Sequence, residues 1–440
     1  MRSIFRKVIL LAVVFMGLSF YAQNRSLDNY REPDKNGINV FEAPKDTVST
    51  FEGVKVRVGG SSTLQYQSLD HDSGWMATTD EDSPWFDVTP LAEIGSNFNL
   101  ATANLDLDVA LAKGVRMHLR TYLSSRHHPE PYVKGGYFQI DNLDFISEGL
   151  LEDFMKHATI KIGHMENNYG DAHFRRSDNA QTIFNPFVGN LIMDAFTTEV
   201  GAELYYQFDN GLLGMIGFAN GKLNQSTENP ISRNTGQYTS DKTGGASFLA
   251  KLGYDKQIND DFRFRLTGSL YNTGYVPSLY LYSADRAGSR YYHVMEPVGS
   301  SGFRSGRFSP SFRNSVTAIM INPFLKYNGL EFFGTFETVS GKSTGDSDSR
   351  NVTQLAGEVI YRFGQSENFY LGARYNNVDS EETSGDVSID RRQIGAGWFM
   401  TKNVLMKLEY VDQNYHGYAP GSLLNNGEFN GLMLEAAISF

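Results

Sequence analysis

The sequence contains no cysteine, so it can form neither disulfide bonds nor thiolate metal sites, and it has no cysteine to carry a lipid anchor. Proline is scarce, with 13 residues in a chain of 440. Basic residues are in the minority, at 39 against 50 acidic residues. This balance argues against a nucleic-acid partner, because nucleic-acid-binding surfaces are built from clustered lysine and arginine.

Long apolar runs are also missing, apart from one at the N-terminus. Three basic residues in MRSIFRK precede the apolar stretch VILLAVVFMGLSF, and Ala22 stands just before a cleavage site. The stretch is shorter than the roughly 20 residues that a membrane-spanning helix needs. We therefore interpret residues 1–22 as a cleaved secretory signal and residues 23–52 as a polar N-terminal periplasmic segment.

The chain is rich in aromatic residues and glycine, with 24 Tyr, 31 Phe and 43 Gly. Transmembrane β-barrels have this composition together with a low overall hydropathy, because only every second residue of each strand faces lipid. Residues 53–440 alternate with a period of two, as in LDLDVAL, and turn signals such as Asn328-Gly329 join the alternating stretches. We count sixteen strands, with short connections alternating with long polar ones. The pattern predicts an all-β fold, a transmembrane antiparallel β-barrel with short periplasmic turns and long extracellular loops.

The last residues, NGLMLEAAISF, continue the alternation to the end of the chain. Such a strand closes the barrel against the first one and leaves no unpaired edge in the membrane. Phe440 would then lie in the periplasmic aromatic belt. A final strand that ends in Phe resembles the signal read by the barrel-assembly machinery. The expected partners are therefore outer-membrane lipid and, during biogenesis, that machinery.

The stretch IKIGHMENNYGDAHFRR, residues 160–176, resembles the family of phosphate-selective porins, in which a similar strand runs into a glycine-containing loop. The resemblance implies a passive channel for small solutes, with a homotrimer as one option for its assembly, and a third long loop folded into the barrel. Lumenal lysines are abundant in that family, whereas this chain has mixed charge. Phosphate selectivity is therefore not carried over.

Strand parity places roughly 20 ionisable side chains on the face away from lipid. They require either a water-filled lumen or a dense network of ion pairs, because unpaired buried charge is prohibitive. In an open lumen, opposed basic and acidic walls would create a transverse field that filters solutes by charge. The basic members of this predicted arrangement are Lys55, Arg57, Arg116, Arg120 and Lys161, and the acidic ones are Glu199, Glu203, Glu331 and Glu337.

The third long loop, residues 166–195, is the candidate constriction. Charged rings at the narrowest point set the selectivity of many channels. A solvated external loop is the alternative. The candidate residues are Asp171, His173, Arg175, Arg176 and Asp178.

Two other loops have unusual compositions. Loop 276–314 combines arginine with aromatic residues, which suits either recognition of an anionic sugar or protein, or a self-packed lid held by cation–π contacts. Loop 68–90 is acidic, and calcium binding there is less favoured than a solvated loop because the spacing fits no EF-hand. No residue spacing indicates a catalytic set, so we expect no enzyme activity, no metal site and no cofactor.

Two functions follow from the sequence. The first is a porin that allows passive diffusion of small hydrophilic solutes or ions across the cell outer membrane. The second is a non-conducting structural or accessory subunit of a larger outer-membrane complex, with a filled barrel.

Overall fold

The computed structural model describes residues 27–76, 90–124, 128–223, 245–276, 278–283, 290–300, 302, 304–343 and 345–440. The predicted signal and most of the acidic part of loop 68–90 lie outside these ranges. Within them, no helix has the length and apolar character needed to cross a membrane.

Sixteen strands form one closed sheet in which every strand is antiparallel to its neighbours in sequence, as predicted. The strands are β1 (Lys55–Asp72), β2 (Asn97–Ala112), β3 (Val115–Ser124), β4 (His128–Ile140), β5 (Ala158–Glu166), β6 (Thr198–Gln207), β7 (Leu212–Ala219), β8 (Ser247–Gln257), β9 (Phe262–Thr273), β10 (Ser315–Tyr327), β11 (Leu330–Lys342), β12 (Arg350–Phe363), β13 (Phe369–Glu382), β14 (Gly385–Thr401), β15 (Val404–His416) and β16 (Glu428–Ser439). One short α-helix, α1, spans Glu152–Met155, and 3₁₀ turns occur at Lys35–Gly37, Ala172–Arg175, Thr182–Phe184 and Gln365–Glu367.

The chain terminus closes the barrel. Strand β16 pairs with β1 over a register that runs from Ser61 opposite Ser439 to Asp72 opposite Glu428. Phe440 continues the ladder, because its backbone N–H and carbonyl exchange hydrogen bonds of 3.0 Å with Gly60. The alternation in the last eleven residues therefore has the predicted structural role, which is to remove the open edge of the sheet.

The pleat separates a lipid-type face from an inner face, as the parity predicts. On β15, Leu408 points outward and is 45% exposed, whereas the adjacent Lys407 points inward and is 2% exposed. Aromatic rings line the outer surface near the short turns, where Phe369 stacks with Phe363 at 5.9 Å and with Trp398 at 6.1 Å. This girdle is typical of the interfacial belt of outer-membrane barrels.

Leu408→Arg is expected to lower the free energy of unfolding by about 2–4 kcal/mol, because it places a charge on the outer face near mid-membrane. Urea unfolding in lipid vesicles, followed by electrophoretic mobility, measures the change. Leu408→Ala is the matched control and should cost less. Equal stability of the Arg and Ala variants would mean that this face does not contact lipid.

The connections depart from strict alternation of short and long. Strands β13 and β14 pair almost to their ends, so only residues 383–384 connect them. Conversely, residues 141–157 form a long connection at the short-turn end and include α1. The strands pair beyond the expected thickness of the membrane. For this reason some residues that were predicted as loop belong to strands.

The N-terminal segment extends into the barrel. Phe41 packs edge-on against Phe324 of β10 at 5.3 Å between ring centroids. The side-chain amide of Asn39 donates to Glu331 of β11 at 2.6 Å. Residues 23–52 were expected on the periplasmic side; Asn39 and Phe41 contact the inner wall, whereas residues 47–50 are exposed. The domain division at residue 52 stays a prediction.

Candidate functional site

Three segments occupy the lumen, which is the natural candidate site of a barrel. They are the N-terminal segment, the third loop (here residues 167–197, between β5 and β6) and the long loop (the described parts of 276–314, between β9 and β10). Nearly every residue of the third loop is buried. The two loops also contact each other, since the N–H of Phe308 donates to Ile192 O and the N–H of Phe196 donates to Leu281 O, each at 2.9 Å.

An apolar core lies inside the wall. The third loop contributes Val188, Ile192 and Met193, and the long loop contributes residues such as Leu279 and Val294. These side chains pack against inward-facing apolar residues of the strands. The wall residues of this core include Val316, Ala318, Met320, Val339, Val352, Val378, Val387, Ile389, Val411, Phe429 and Met433.

The sequence analysis missed this core, although the sequence carries a signal for it. In SVTAIMI, at the extracellular end of β10, apolar residues stand at both parities: Ile319 and Ile321 outward, Val316 and Met320 inward. A strand that faces lipid on one side and water on the other has no reason to be apolar on both faces. Apolar residues on the lumen face therefore predict a packed interior.

The first candidate constriction residue, Asp171, lies in a buried cluster of opposite charges. Its carboxylate accepts hydrogen bonds from Arg265 Nε at 2.8 Å, Lys251 Nζ at 3.0 Å and Thr267 Oγ1 at 2.7 Å. Glu42 of the N-terminal segment joins the cluster, with its Oε2 2.8 Å from Arg265 Nη1. Burial by itself would raise the pKa of both carboxyls, but the charges of Arg265 and Lys251 outweigh it and lower both pKa values.

The other candidate residues are also buried and paired. Arg175 Nη2 donates to Glu358 at 3.3 Å, and Arg176 Nη2 donates to Asp194 at 2.6 Å. The candidate constriction residues are therefore buried and paired in ways that hold the third loop in place, and their role as a constriction stays a prediction. Asp178 pairs with Lys134, and His173 contacts Glu166 at 2.7 Å.

Among the described residues, three of the nine predicted wall charges form ion pairs and the other six contact neutral groups. Arg116 and Arg120 pair with carboxylates of β2, and Glu331 accepts from Arg362 at 2.7 Å. Glu337 is held by neutral donors, with Tyr282 Oη at 2.6 Å and Tyr169 Oη at 3.0 Å. Each of these side chains therefore has a short-range contact, and the transverse field between a basic and an acidic wall stays a prediction. Glu199 and Glu203 likewise accept from hydroxyls and backbone N–H groups, Lys55 donates to Thr50 O, and Arg57 lies over Tyr30.

The long loop adopts the self-packed arrangement. Tyr291 Oη donates to Glu409 of β15 at 2.6 Å, and the guanidinium of Arg391 lies 4.9 Å from the Tyr291 ring. Arg290 is fully buried and pairs with Glu435 of β16. Arg290 and Tyr291 therefore anchor the loop to the wall, whereas Arg304, Arg313 and Tyr280 of the same loop are exposed.

A cavity of about 190 Å³ lies inside the barrel, beside β2–β6. The N-terminal segment and the third loop form its inner boundary. Its lining combines charged side chains of both signs with aromatic and apolar ones. The charged and histidine residues of the lining are Arg31, Glu42, Asp106, Arg116, His118, Arg120, Lys134, Lys161, Glu166 and His173.

The extracellular side of the cavity is bounded by buried side chains. Lys134 of β4 lies 3.8 Å from the ring centroid of Tyr122 and 4.9 Å from that of Phe196. All three residues are buried. Among the described residues, no three acidic or histidine side chains come together in a way that could hold a metal ion.

Comparison with known proteins supports the architecture only. No protein-family model matches this chain, and no curated protein matches it in sequence. The anion-selective porin from Comamonas acidovorans superposes with a TM-score of 0.52 at 10% identity, covering 88% of this chain and 100% of that one. The likeness shows the fold alone. The resemblance of residues 160–176 to phosphate-selective porins is therefore not supported by a match at the level of sequence.

Two further structures are similar at lower scores. The outer-membrane channel DcaP of Acinetobacter baumannii covers 89% of this chain and 99% of its own, with a TM-score of 0.49 and 10% identity. The trimer form of OmpT, an outer-membrane protein of Vibrio cholerae, covers 88% of this chain and 100% of its own, with a TM-score of 0.49 and 12% identity. At these scores, the two structures carry no argument about what this chain does.

Proposed function

We propose that this chain is an outer-membrane β-barrel of the porin type that is closed by its own inner segments and does not conduct as an open diffusion pore. The apolar core between the third loop, the long loop and the wall carries the proposal. A water-filled channel would leave Met320, Val339 and Val411 facing solvent, whereas here they pack against the two loops. Burial of that surface stabilises the closed arrangement by about 25 cal/mol per Å².

The charges of the lumen support the same conclusion. Arg265, Lys251, Asp171 and Glu42 are all strongly buried and together neutral, so the cluster has the composition of a protein interior. Removing the N-terminal segment or the third loop would leave part of this cluster without partners, which costs several kcal/mol. Closure is therefore built into the fold at the periplasmic level as well.

A closed barrel of this kind suits the structural or accessory role better than passive diffusion. The outward apolar face and the aromatic girdle support an outer-membrane location, with lipid and the barrel-assembly machinery as partners. A homotrimer or membership of a larger complex would give the barrel a role without conduction. The proposal includes no catalytic step, because the buried acids serve as anchors for the loops.

A passive pore is the second candidate, and one observation favours it. The cavity and its cations lie along the lumen face of β2–β6. A solute path through the barrel would therefore run on that side. The layer of Tyr122, Lys134 and Phe196 would have to move for solutes to pass. Lys161, which lines the cavity, would then influence ion selectivity.

Single-channel recording in a planar bilayer tests the proposal, with the Comamonas acidovorans porin as a reference barrel. We expect no stable conductance steps from the intact chain under conditions in which the reference conducts. Steady steps of comparable size would overturn the closed-barrel function. A shift of the reversal potential in Lys161→Glu would then assign the path to the β2–β6 side.

A further inference from the structure

The cavity beside β2–β6 contains two cations that have no acidic partner. Arg116, Arg120 and Lys134 line it too, but each of these three pairs with a carboxylate. Arg31 and Lys161 form no ion pair in the described part of the chain. The lining carboxylates are already engaged, with Glu42 held by Arg265, Asp106 by Arg120 and Glu166 by His173.

Arg31 is fixed in position by its surroundings. Its Nε donates to Gly37 O at 3.0 Å, its Nη2 donates to Phe174 O at 3.2 Å, and its guanidinium lies 3.8 Å from the centroid of the Phe184 ring. These contacts leave Nη1 without a protein acceptor. Burial lowers the pKa of Arg31 to about 9, and the charges of Glu166 and Glu42, neither of which pairs with it directly, do not offset that effect.

Lys161 of β5 is held in a similar way by aromatic rings. Its Nζ lies 4.9 Å from the ring centroid of Tyr205 and 5.7 Å from that of Tyr137. Glu203 is its cross-strand neighbour, but the Glu203 carboxylate accepts instead from the N–H of Asn168 at 3.1 Å and from the Tyr205 hydroxyl. The ammonium group thus keeps its hydrogen-bonding capacity for the cavity.

Unpaired cations inside a protein are costly unless water or an anion solvates them. The cavity, at about 190 Å³, is far larger than the roughly 10–15 Å³ that one water needs by the same measure. Its lining also includes Phe41, Phe174 and Phe184, so the lining combines two unsatisfied cations with apolar rings. This composition suits an anion that has a flat or apolar body.

We propose that the cavity binds a small organic carboxylate, held by charge-assisted hydrogen bonds from Arg31 and Lys161 with its apolar part against the surrounding rings. The carboxylate would accept from Arg31 Nη1 and Lys161 Nζ, and the rings of Phe41, Phe174 and Phe184 favour an anion with an apolar body over inorganic phosphate. Because one cation lies on the N-terminal segment and the other on the wall, the ligand would also tie that segment to the barrel. Binding does not require conduction. The binding proposal can therefore be tested independently of the closed-barrel function.

Isothermal titration of the full mature chain in detergent, with sodium benzoate as the probe, tests the site. We expect saturable binding that weakens by about tenfold or more in Arg31→Gln and in Lys161→Gln, the effect of losing one charge-assisted hydrogen bond. Lys113→Gln is the matched control, because Lys113 lies on an exposed turn and pairs with Asp144. The control should bind benzoate as the unmodified chain does.

A second measurement avoids dependence on the folding of the glutamine variants. Ala43→Cys places the only thiol of the chain in the cavity lining and leaves both cations and their aromatic contacts in place. Benzoate should slow its modification by a small thiol reagent, whereas inorganic phosphate should not. Absence of saturable benzoate binding, unchanged affinity in both glutamine variants, or protection by phosphate alone would each overturn the proposal.

Discussion

Replacing both Arg175 and Arg176 by glutamate is expected to release the third loop and to make the closed barrel conduct. Arg175 lies within 3.7 Å of Glu331 and 3.3 Å of Glu358, and Arg176 lies within 3.4 Å of Asp178 and 2.6 Å of Asp194. The two substitutions would place new carboxylates beside existing carboxylates at two buried positions. Losing one partner of a buried pair already costs about 3–5 kcal/mol, and the repulsion adds to that.

Planar-bilayer recording and limited proteolysis of the third loop measure the result. We expect new conductance with a preference for cations, because the exposed lumen would then carry an excess of carboxylates. Arg392→Glu is the control, since Arg392 is 66% exposed and its pair with Asp390 is at the surface. If the double variant remains closed and its loop remains resistant to protease, these two arginines do not hold the loop.

Arg265→Ala is expected to cause the second large effect, a loss of about 3–5 kcal/mol in the free energy of unfolding at neutral pH. Arg265 pairs with Asp171, Glu42 and Asp255, and it is almost fully buried. Without it, Lys251 and the partly exposed Arg263 remain to balance three carboxylates. Arg392→Ala, the matched surface change, should cost less than about 1 kcal/mol.

The pH dependence of this effect follows from the lowered pKa values of Glu42 and Asp171. A carboxyl whose pKa is lowered on folding stabilises the folded state above its unfolded pKa, and that contribution is lost as the pH falls through the folded pKa. The difference between the unmodified chain and Arg265→Ala should therefore narrow below about pH 4. Urea unfolding at pH 7 and pH 3.5 measures it, and an equal difference at both would show that Arg265 acts through packing alone.

The wall of the barrel was predictable from the sequence because the relevant signal is local. Alternation in stretches such as LDLDVAL and NGLMLEAAISF reports which face of a strand meets an apolar environment, and Asn-Gly pairs report the turns. Closure by Phe440 follows from the same pattern. Parity also identified the inward charges, since Lys407 and Leu408 face opposite sides as predicted.

The contents of the lumen were harder to predict, because they depend on contacts between residues that are far apart in sequence. Arg175 and Glu358 are 183 residues apart, and Arg265 and Glu42 are 223 residues apart. No local pattern shows that the N-terminal segment enters the lumen and contacts the inner wall there. The apolar inward residues Val316 and Met320 carried a hint, but only of a packed interior and not of the segments that pack it.

The sequence by itself determined a sixteen-stranded barrel, its closing strand and the sidedness of its charges, because the pleat fixes side-chain direction within a few residues. Only the tertiary structure decided whether the lumen is open or filled, and whether each charge faces water or a partner. The physical reason is that buried charges and loop cores gain their stability from non-local partners. The positions of these residues along the chain therefore do not show which residue pairs with which. The partners are set only when the barrel closes around the loops.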